Sequence, residues 1–319
     1  MSKSLVITAG DPCGIGPEVI LKALALPVPR GVRLTVIGDL AVFERTAKRC
    51  GKRRPRWTDR LRFIDLAHRA RFTPGRPSAA SGRASWDYLE VAVDLVRRGL
   101  ADGLVTAPVT KWAIERAGHP FQGHTEYLAK AFGNVQPVMM FVSPMLRVVL
   151  LTRHVAIRDV PRRVTPTRLR HTIRTTADGL RRYFGIQHPR LAICGLNPHA
   201  GEGGMFGEEE QRVLLPLRRQ FLRNGIRLDG PLSADAFFVD PFGADAVVCW
   251  YHDQGLIPFK MLARDQGCQL TLGLPVVRTS PDHGSAPDIA GQNLAHPGSM
   301  RYALALAAKL VHAHQNRIA

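Results

Sequence analysis

Short apolar runs and stretches of helical spacing alternate from one end of the chain to the other. The runs SLVITAG, VRLTVIGD, GLVTAPV, PVMMFVS, LRVVLLT, RLAICGLN, DAVVCWY and CQLTLGLPVVRT read as strands: each is brief, apolar and closed by turn-forming or polar residues. Between them, apolar positions recur at helical spacing over residues 17–26, 85–98, 125–131, 168–183, 208–224 and 299–314. This alternation predicts an α/β architecture with mainly parallel strand pairing. The segment FTPGRPSAASGRAS reads as a Pro-, Gly- and Ser-rich loop, too short for a flexible interdomain linker.

The polar clusters are not scattered. GDPCGIGPE, TAPVTK, TRH, NPHAGEGG, HDQG and RTSPDHGSA each follow the C-terminal end of a predicted strand. In open α/β sheets that edge is where ligands bind.

Composition narrows the classes. With 319 residues, 45% of them hydrophobic and 22% charged, the chain has material for one large domain or two ordinary ones. No apolar stretch reaches the roughly 18 residues of a membrane helix, and the opening MSKSLVITAGDPCG is a strand rather than a secretory signal. A cytoplasmic protein is therefore expected. Five widely spread cysteines without a CxxC pair make neither a disulfide framework nor a zinc ribbon.

The net charge of +18 comes largely from two stretches. One begins RTAKRCGKRRPRWTDRLRF at Arg45 and continues to Phe72; the other runs from Arg153 to Arg182. Their arginines are not interleaved with stacking aromatics and match no nucleic-acid-binding motif. A solvated basic surface that steers an anionic substrate is the simpler account, and nucleic acid is not an expected partner.

Glycines 10, 14 and 16 make GDPCGIGPE a tight turn before a helix, but Val19 occupies the third position of a dinucleotide fingerprint, and no Walker-A lysine is present. In GHTE, Thr125 is a candidate helix cap, while His124 and Thr125 together are candidate anion donors. His154, His199 and His252 close three predicted strands on one edge, so they are candidates to converge on a divalent ion with open coordination positions. Lys260 follows Ile257, Pro258 and Phe259, apolar neighbours that would desolvate it for proton transfer or anion contact. Arg278, at the end of a predicted strand, suits a phosphate or carboxylate. Asp235, Asp282 and His283 are weaker candidates, equally readable as turn residues.

Taken together and in order, GDPCGIGPE, VTAPVTK, GHTE, RHVAIRD, GLNPHAGEGG, GPLSAD, YHDQGLIPFK and LGLPVVRTSPDHGSAPDIAG resemble the 4-hydroxythreonine-4-phosphate dehydrogenases of pyridoxine biosynthesis. The resemblance runs from about Gly10 to about Gly291. It implies a two-lobed α/β fold like that of isocitrate and isopropylmalate dehydrogenases, with the active site in the interlobe cleft. The lobes are expected at 1–130 plus 277–319 and at 131–276.

The resemblance further implies a homodimer with its active site at the subunit interface, a small phosphorylated substrate, an NAD or NADP cofactor and one divalent ion (zinc, magnesium or cobalt). It puts the metal on His154, His199 and His252, the substrate on His124, Thr125, Lys260, Gln269 and Arg278, and catalytic roles on Lys260 and Asp235. The family's substrate-binding asparagine is Gln269 here, and its GPLPADT reads GPLSADA. That substitution leaves open related substrates such as erythronate or threonate 4-phosphate. A non-enzymatic polyanion binder, or a metal-dependent isomerase or decarboxylase without nicotinamide, is the competing class.

Overall fold

The protein is seen here as a computed structural model that describes residues 2–25, 27, 31–51 and 55–315. Lys52, Arg53 and Arg54 of the first basic stretch, and the end of the first expected helix at position 26, lie outside the described residues. The chain divides into two compact units, Met1–Gln136 with Asp265–Gln315, and Pro137–Arg264.

The first unit holds strands β1 (Lys3–Thr8), β2 (Val32–Gly38), β3 (Leu61–Asp65) and β4 (Gly103–Thr106). The second holds β5 (Val138–Val142), β6 (Arg147–Leu150), β7 (Arg190–Cys194), β8 (Arg227–Leu232) and β9 (Ala246–Cys249). The chain then returns to the first unit with β10 (Cys268–Leu272) and β11 (Val277–Pro281).

In the first unit the strand order is β3-β2-β1-β4-β11-β10, parallel except for the antiparallel β10. The order reverses between β1 and β4, where an open α/β sheet leaves a crevice. The chain's own loops occupy that position. A Cβ on Gly14 would lie 2.7 Å from the Ser285 carbonyl oxygen, and Thr110 Oγ1 and Ser285 Oγ are 3.0 Å apart. The glycine in GDPCGIGPE is thus required for packing between protein loops. Asp11 is fully buried there, and burial, its largest influence, raises its carboxyl above the usual range.

The second unit has the order β5-β6-β9-β7-β8, in which β6, β9, β7 and β8 run parallel. Its core joins Val148 and Leu150 of β6, Cys194 of β7 and Val247 and Cys249 of β9 to Leu256 and Phe259 of the helix His252–Ala263. The second basic stretch forms most of the helix Pro166–Phe184. It is capped by Thr165 and stopped by left-handed Gly185, and it buries Leu169, Ile173, Ala177 and Leu180. Most of its arginines lie on the opposite, exposed or half-buried face.

Three local expectations differ from the structure. CQLTLGLPVVRT is a hairpin of two antiparallel strands rather than one strand, broken at Gly273, which has φ +82°. The segment AASGRAS is the start of the helix Ala79–Arg97, because Ser78 and Ser81 form a reciprocal capping box. HDQGLIPFK is helical from its first residue: β9 ends at Cys249, and the helix His252–Ala263 accommodates Pro258 in its second turn.

Candidate functional site

Each parallel strand of the second unit delivers one candidate residue just past its C-terminal end: His154 after β6, His252 after β9, His199 after β7 and Asp235 after β8. Strand order therefore sets the order along the edge as 154, 252, 199, 235. The first two meet, and the last two lie within electrostatic range of each other. The rings of His154 and His252 have centroids 5.8 Å apart and line a cavity of about 270 Å³ with Arg153, Tyr251 and Asp253. Asp235 accepts a 2.6 Å hydrogen bond from Ser233 Oγ; that bond, the Ala236 backbone and the nearby His199 hold its carboxyl below the usual range.

The three histidines are not gathered into one cluster. Among the described residues, no group of three His, Cys, Asp or Glu side chains is placed to hold a metal. His199 stands on an exposed loop in which every residue from His199 to Gly203 has positive φ, from +40° to +82°. Backbone this far from its preferred region is maintained by its surroundings. Here Asn197 supplies the anchor: its backbone N–H donates to Glu210 Oε1 (2.8 Å) and its amide to Glu209 and Glu210.

The four positions of HDQG have separate tasks. His252 Nδ1 lies 2.6 Å from Asp253 Oδ1, which fixes the ring and leaves Nε2 for a ligand. Gln254 accepts from the Trp250 backbone N–H (2.8 Å) and donates to the Gly195 carbonyl (2.6 Å), tying the helix to the ends of β9 and β7. A Cβ on Gly255 would come within 2.5 Å of Val148 Cγ1 and 3.0 Å of Cys249 Sγ, so this glycine lets the helix sit close against β6 and β9. Lys260, two turns further on, is exposed, so its apolar neighbours do not desolvate it within the unit; Phe259 turns into the core, while Ile257 is 60% exposed.

The first unit assembles a second constellation. Arg278 is not at a strand end; it lies inside β11 and is 3% exposed. Its Nη1 donates to Gln269 Oε1 and, at 3.0 Å, to Thr271 Oγ1, and its Nη2 donates to Thr106 Oγ1 at 2.6 Å. All these acceptors are neutral, and Nε is buried without a partner. Burial lowers the guanidinium to about 10, with the nearby Glu126 and Cys268 acting in the opposite direction.

His124 is the first residue of the helix His124–Ala131, with Gly123 in the capping position; Thr125 is buried in the first turn and is not the cap. Burial first, then the Arg278 and Lys111 charges, push the His124 imidazole well below its usual range. A neutral ring results, whose buried Nε2 has no partner. Arg278 and His124 thus bring a buried cation and a neutral imidazole within electrostatic range, each with one unsatisfied buried nitrogen, a donor set suited to a phosphate or carboxylate.

Sequence reasoning missed Asp253 and the threonines of the Arg278 cage. The signal for the latter was present as alternation. Gln269 and Thr271 interrupt an otherwise apolar run two positions apart, so they share one face of β10.

The family described as "Pyridoxal phosphate biosynthetic protein PdxA" matches residues 21–307. The chain is 46% identical to a 4-hydroxythreonine-4-phosphate dehydrogenase of Geobacter metallireducens over 96% of its own length and 95% of the relative's. Among solved structures, the 4-hydroxythreonine-4-phosphate dehydrogenase of Klebsiella pneumoniae superimposes with a TM-score of 0.86 at 33% identity, covering 98% of both chains. That of Burkholderia phymatum gives 0.80 at 39% identity, covering 97% of this chain and 98% of the other. Similarity of this extent settles kinship: the chain belongs to the PdxA family of pyridoxal phosphate biosynthetic proteins.

Proposed function

We propose that the protein is a metal-dependent, NAD(P)-linked dehydrogenase that oxidises 4-phosphohydroxy-L-threonine to 2-amino-3-oxo-4-phosphooxybutanoate. Loss of carbon dioxide from that β-keto acid gives 3-amino-2-oxopropyl phosphate. The observation that carries this reading is the buried Arg278, hydrogen-bonded only to neutral side chains and beside the neutral His124: a built receptor for the substrate's anionic end. The names of the relatives supply the substrate.

The donor set of the second unit suits a divalent ion such as zinc, cobalt or magnesium. His154 and His252 face one cavity, and Asp253 holds His252 with one ring nitrogen free. His199 is the third expected ligand, and since the chain does not gather it with the other two, a second copy is expected to complete the set. Ile257 and Met261, one turn apart on the helix that begins with His252, are 60% and 72% exposed, an apolar face that a homodimer would cover. When bound, such an ion would lower the cost of charge on the substrate's oxygen, and a nicotinamide would supply the hydride acceptor. The chain's own groups then bind and orient. Arg278, His124 and Thr125 seat the phosphate, Gln269 supports Arg278, and Lys260 and Asp235 serve proton transfer and orientation near the reacting centre. Turnover in the cytoplasm is expected; among the described residues no helix is long and apolar enough to cross a membrane.

The test is NAD(P)H formation by metal-stripped protein given 4-phosphohydroxy-L-threonine, with and without added zinc, cobalt or magnesium. Metal-dependent reduction is expected; metal-independent turnover, or none at all, overturns the proposal. A second reading keeps the chemistry and changes the substrate to erythronate or threonate 4-phosphate. The side chain of Gln269 favours it, because its amide is engaged by Arg278, Ser280 and Thr271 rather than held out to a ligand. Reduction with one of those acids alone would select it.

A further inference from the structure

The hairpin β10–β11 pairs Gln269 with Ser280, which places Arg278, two residues earlier, on the same face. Gln269 is 4% exposed, and its carbonyl oxygen accepts twice, from Arg278 Nη1 and from Ser280 Oγ at 3.0 Å. Its amide nitrogen donates to Thr271 Oγ1 at 2.9 Å, and that same hydroxyl accepts from Arg278 Nη1 at 3.0 Å. Gln269 therefore braces the guanidinium directly and through Thr271. Glu126 acts on Arg278 through space, yet the hydrogen bonds of Arg278 all go to uncharged groups. A buried cation held in this way is oriented but keeps its charge available for an incoming anion, whereas a carboxylate partner would neutralise it internally.

We propose that Gln269 is a positioning residue that holds Arg278 for anion capture without neutralising it, so that an uncharged side chain at 269 is a requirement of binding. The inference rests on the reading of Arg278 as the anion receptor. It differs from a direct substrate contact by Gln269 in its consequence: charge at 269, rather than loss of a ligand hydrogen bond, governs affinity.

The full-length protein, its Gln269→Glu, Gln269→Asn and Arg278→Ala variants would be titrated with inorganic phosphate, followed by phosphorus NMR, and melted in parallel. For Gln269→Glu, phosphate affinity should fall by ~30-fold or more, as far as in Arg278→Ala, while the melting temperature stays level or rises because an internal ion pair has formed. A merely structural role predicts affinity that tracks melting temperature. Gln269→Asn, still neutral but one methylene short of its partners, should lose ~3- to 10-fold. Should the Glu variant fail to fold, the Asn variant decides, and an unchanged affinity there overturns the inference. Wild-type affinity in Gln269→Glu, or in Arg278→Ala, also overturns it. Running 4-phosphohydroxy-L-threonine turnover on the same wild-type preparation separates the two readings. Phosphate capture without turnover removes the substrate assignment alone, and turnover with a phosphate-indifferent Glu variant removes only the role of Gln269.

Discussion

His252 and Asp253 are adjacent in the chain, and their side chains meet at 2.6 Å, nitrogen to oxygen, at the first turn of a helix. Adjacent residues on a helix normally point apart, so this contact is a local constraint on the imidazole rather than a by-product of packing. With His252 as a ligand of the proposed ion, Asp253→Asn should weaken metal retention by ~10- to 100-fold, the usual cost of losing a carboxylate behind a ligating histidine. Equilibrium dialysis against zinc measures it. His252→Ala should abolish retention with the circular dichroism spectrum unchanged.

Replacing Arg278 tests the geometry of its hydrogen bonds separately from its charge. Arg278→Lys keeps a cation but cannot reach Thr106, Thr271 and Gln269 with one rigid fork. KM for the phosphorylated substrate should rise at least ~10-fold, and because buried hydroxyls and an amide lose their partner, stability should fall by about 1–3 kcal/mol. Steady-state kinetics and urea denaturation read the two effects.

Gly255→Ala is the packing counterpart. The added methyl would meet Val148 and Cys249 at 2.5 and 3.0 Å, contacts that side chains do not sustain without displacement. Destabilisation by about 1–3 kcal/mol is expected, together with weaker metal retention, since the helix carrying His252 is pushed off β6 and β9. Glycine-to-alanine changes inside helices ordinarily stabilise, so the sign alone discriminates.

A pH effect is expected in the first unit, away from these groups. His68 lies between two carboxylates, with Nδ1 3.1 Å from Asp39 and Nε2 3.0 Å from Asp87. Tyr88 also donates to Asp39 at 2.8 Å and Arg83 to Asp87 at 2.9 Å. Burial alone would lower the imidazole's pKa, but Asp87 and Asp39 outweigh it and raise it. A raised folded-state pKa stabilises fully below the unfolded value of about 6.5 and loses that contribution as pH climbs through the folded value. Amide exchange in the loop 66–78, which His68 tethers to Asp39 through its backbone N–H as well, should quicken beyond the intrinsic rate as pH rises from 6 to 8. In His68→Gln that extra acceleration should vanish.

Much of this was legible from the chain alone, for physical reasons that differ by element. Strands such as β6, β7 and β9 are short apolar blocks closed by polar residues, so both their existence and the candidates at their ends could be read. The helix His252–Ala263 could not: Gly255 and Pro258 are helix-weakening residues, and the packing that overrides them involves Val148 and Cys249, distant in sequence. The Leu40–Arg49 helix and the strands β3 and β8 went unread because their patterns are brief and polar-rich. Arg278 was identifiable as an anion group by type, but its cage spans Thr106 to Arg278, a separation that no local pattern encodes.

The first unit is interrupted in sequence: it opens with Met1–Gln136 and is completed only by Asp265–Gln315. Strand β11, which carries Arg278, inserts beside β4 and can do so only after residues 137–264 have been synthesised. On a ribosome β1 to β4 can pair early, but the intervening unit, whose five strands are contiguous in sequence, is the first able to complete its strand order, while β4 waits with an open edge. An exposed apolar strand edge is a hazard during synthesis. Slowing translation beyond residue 264 should therefore lower soluble yield more than slowing it earlier, although both chains would be identical once made.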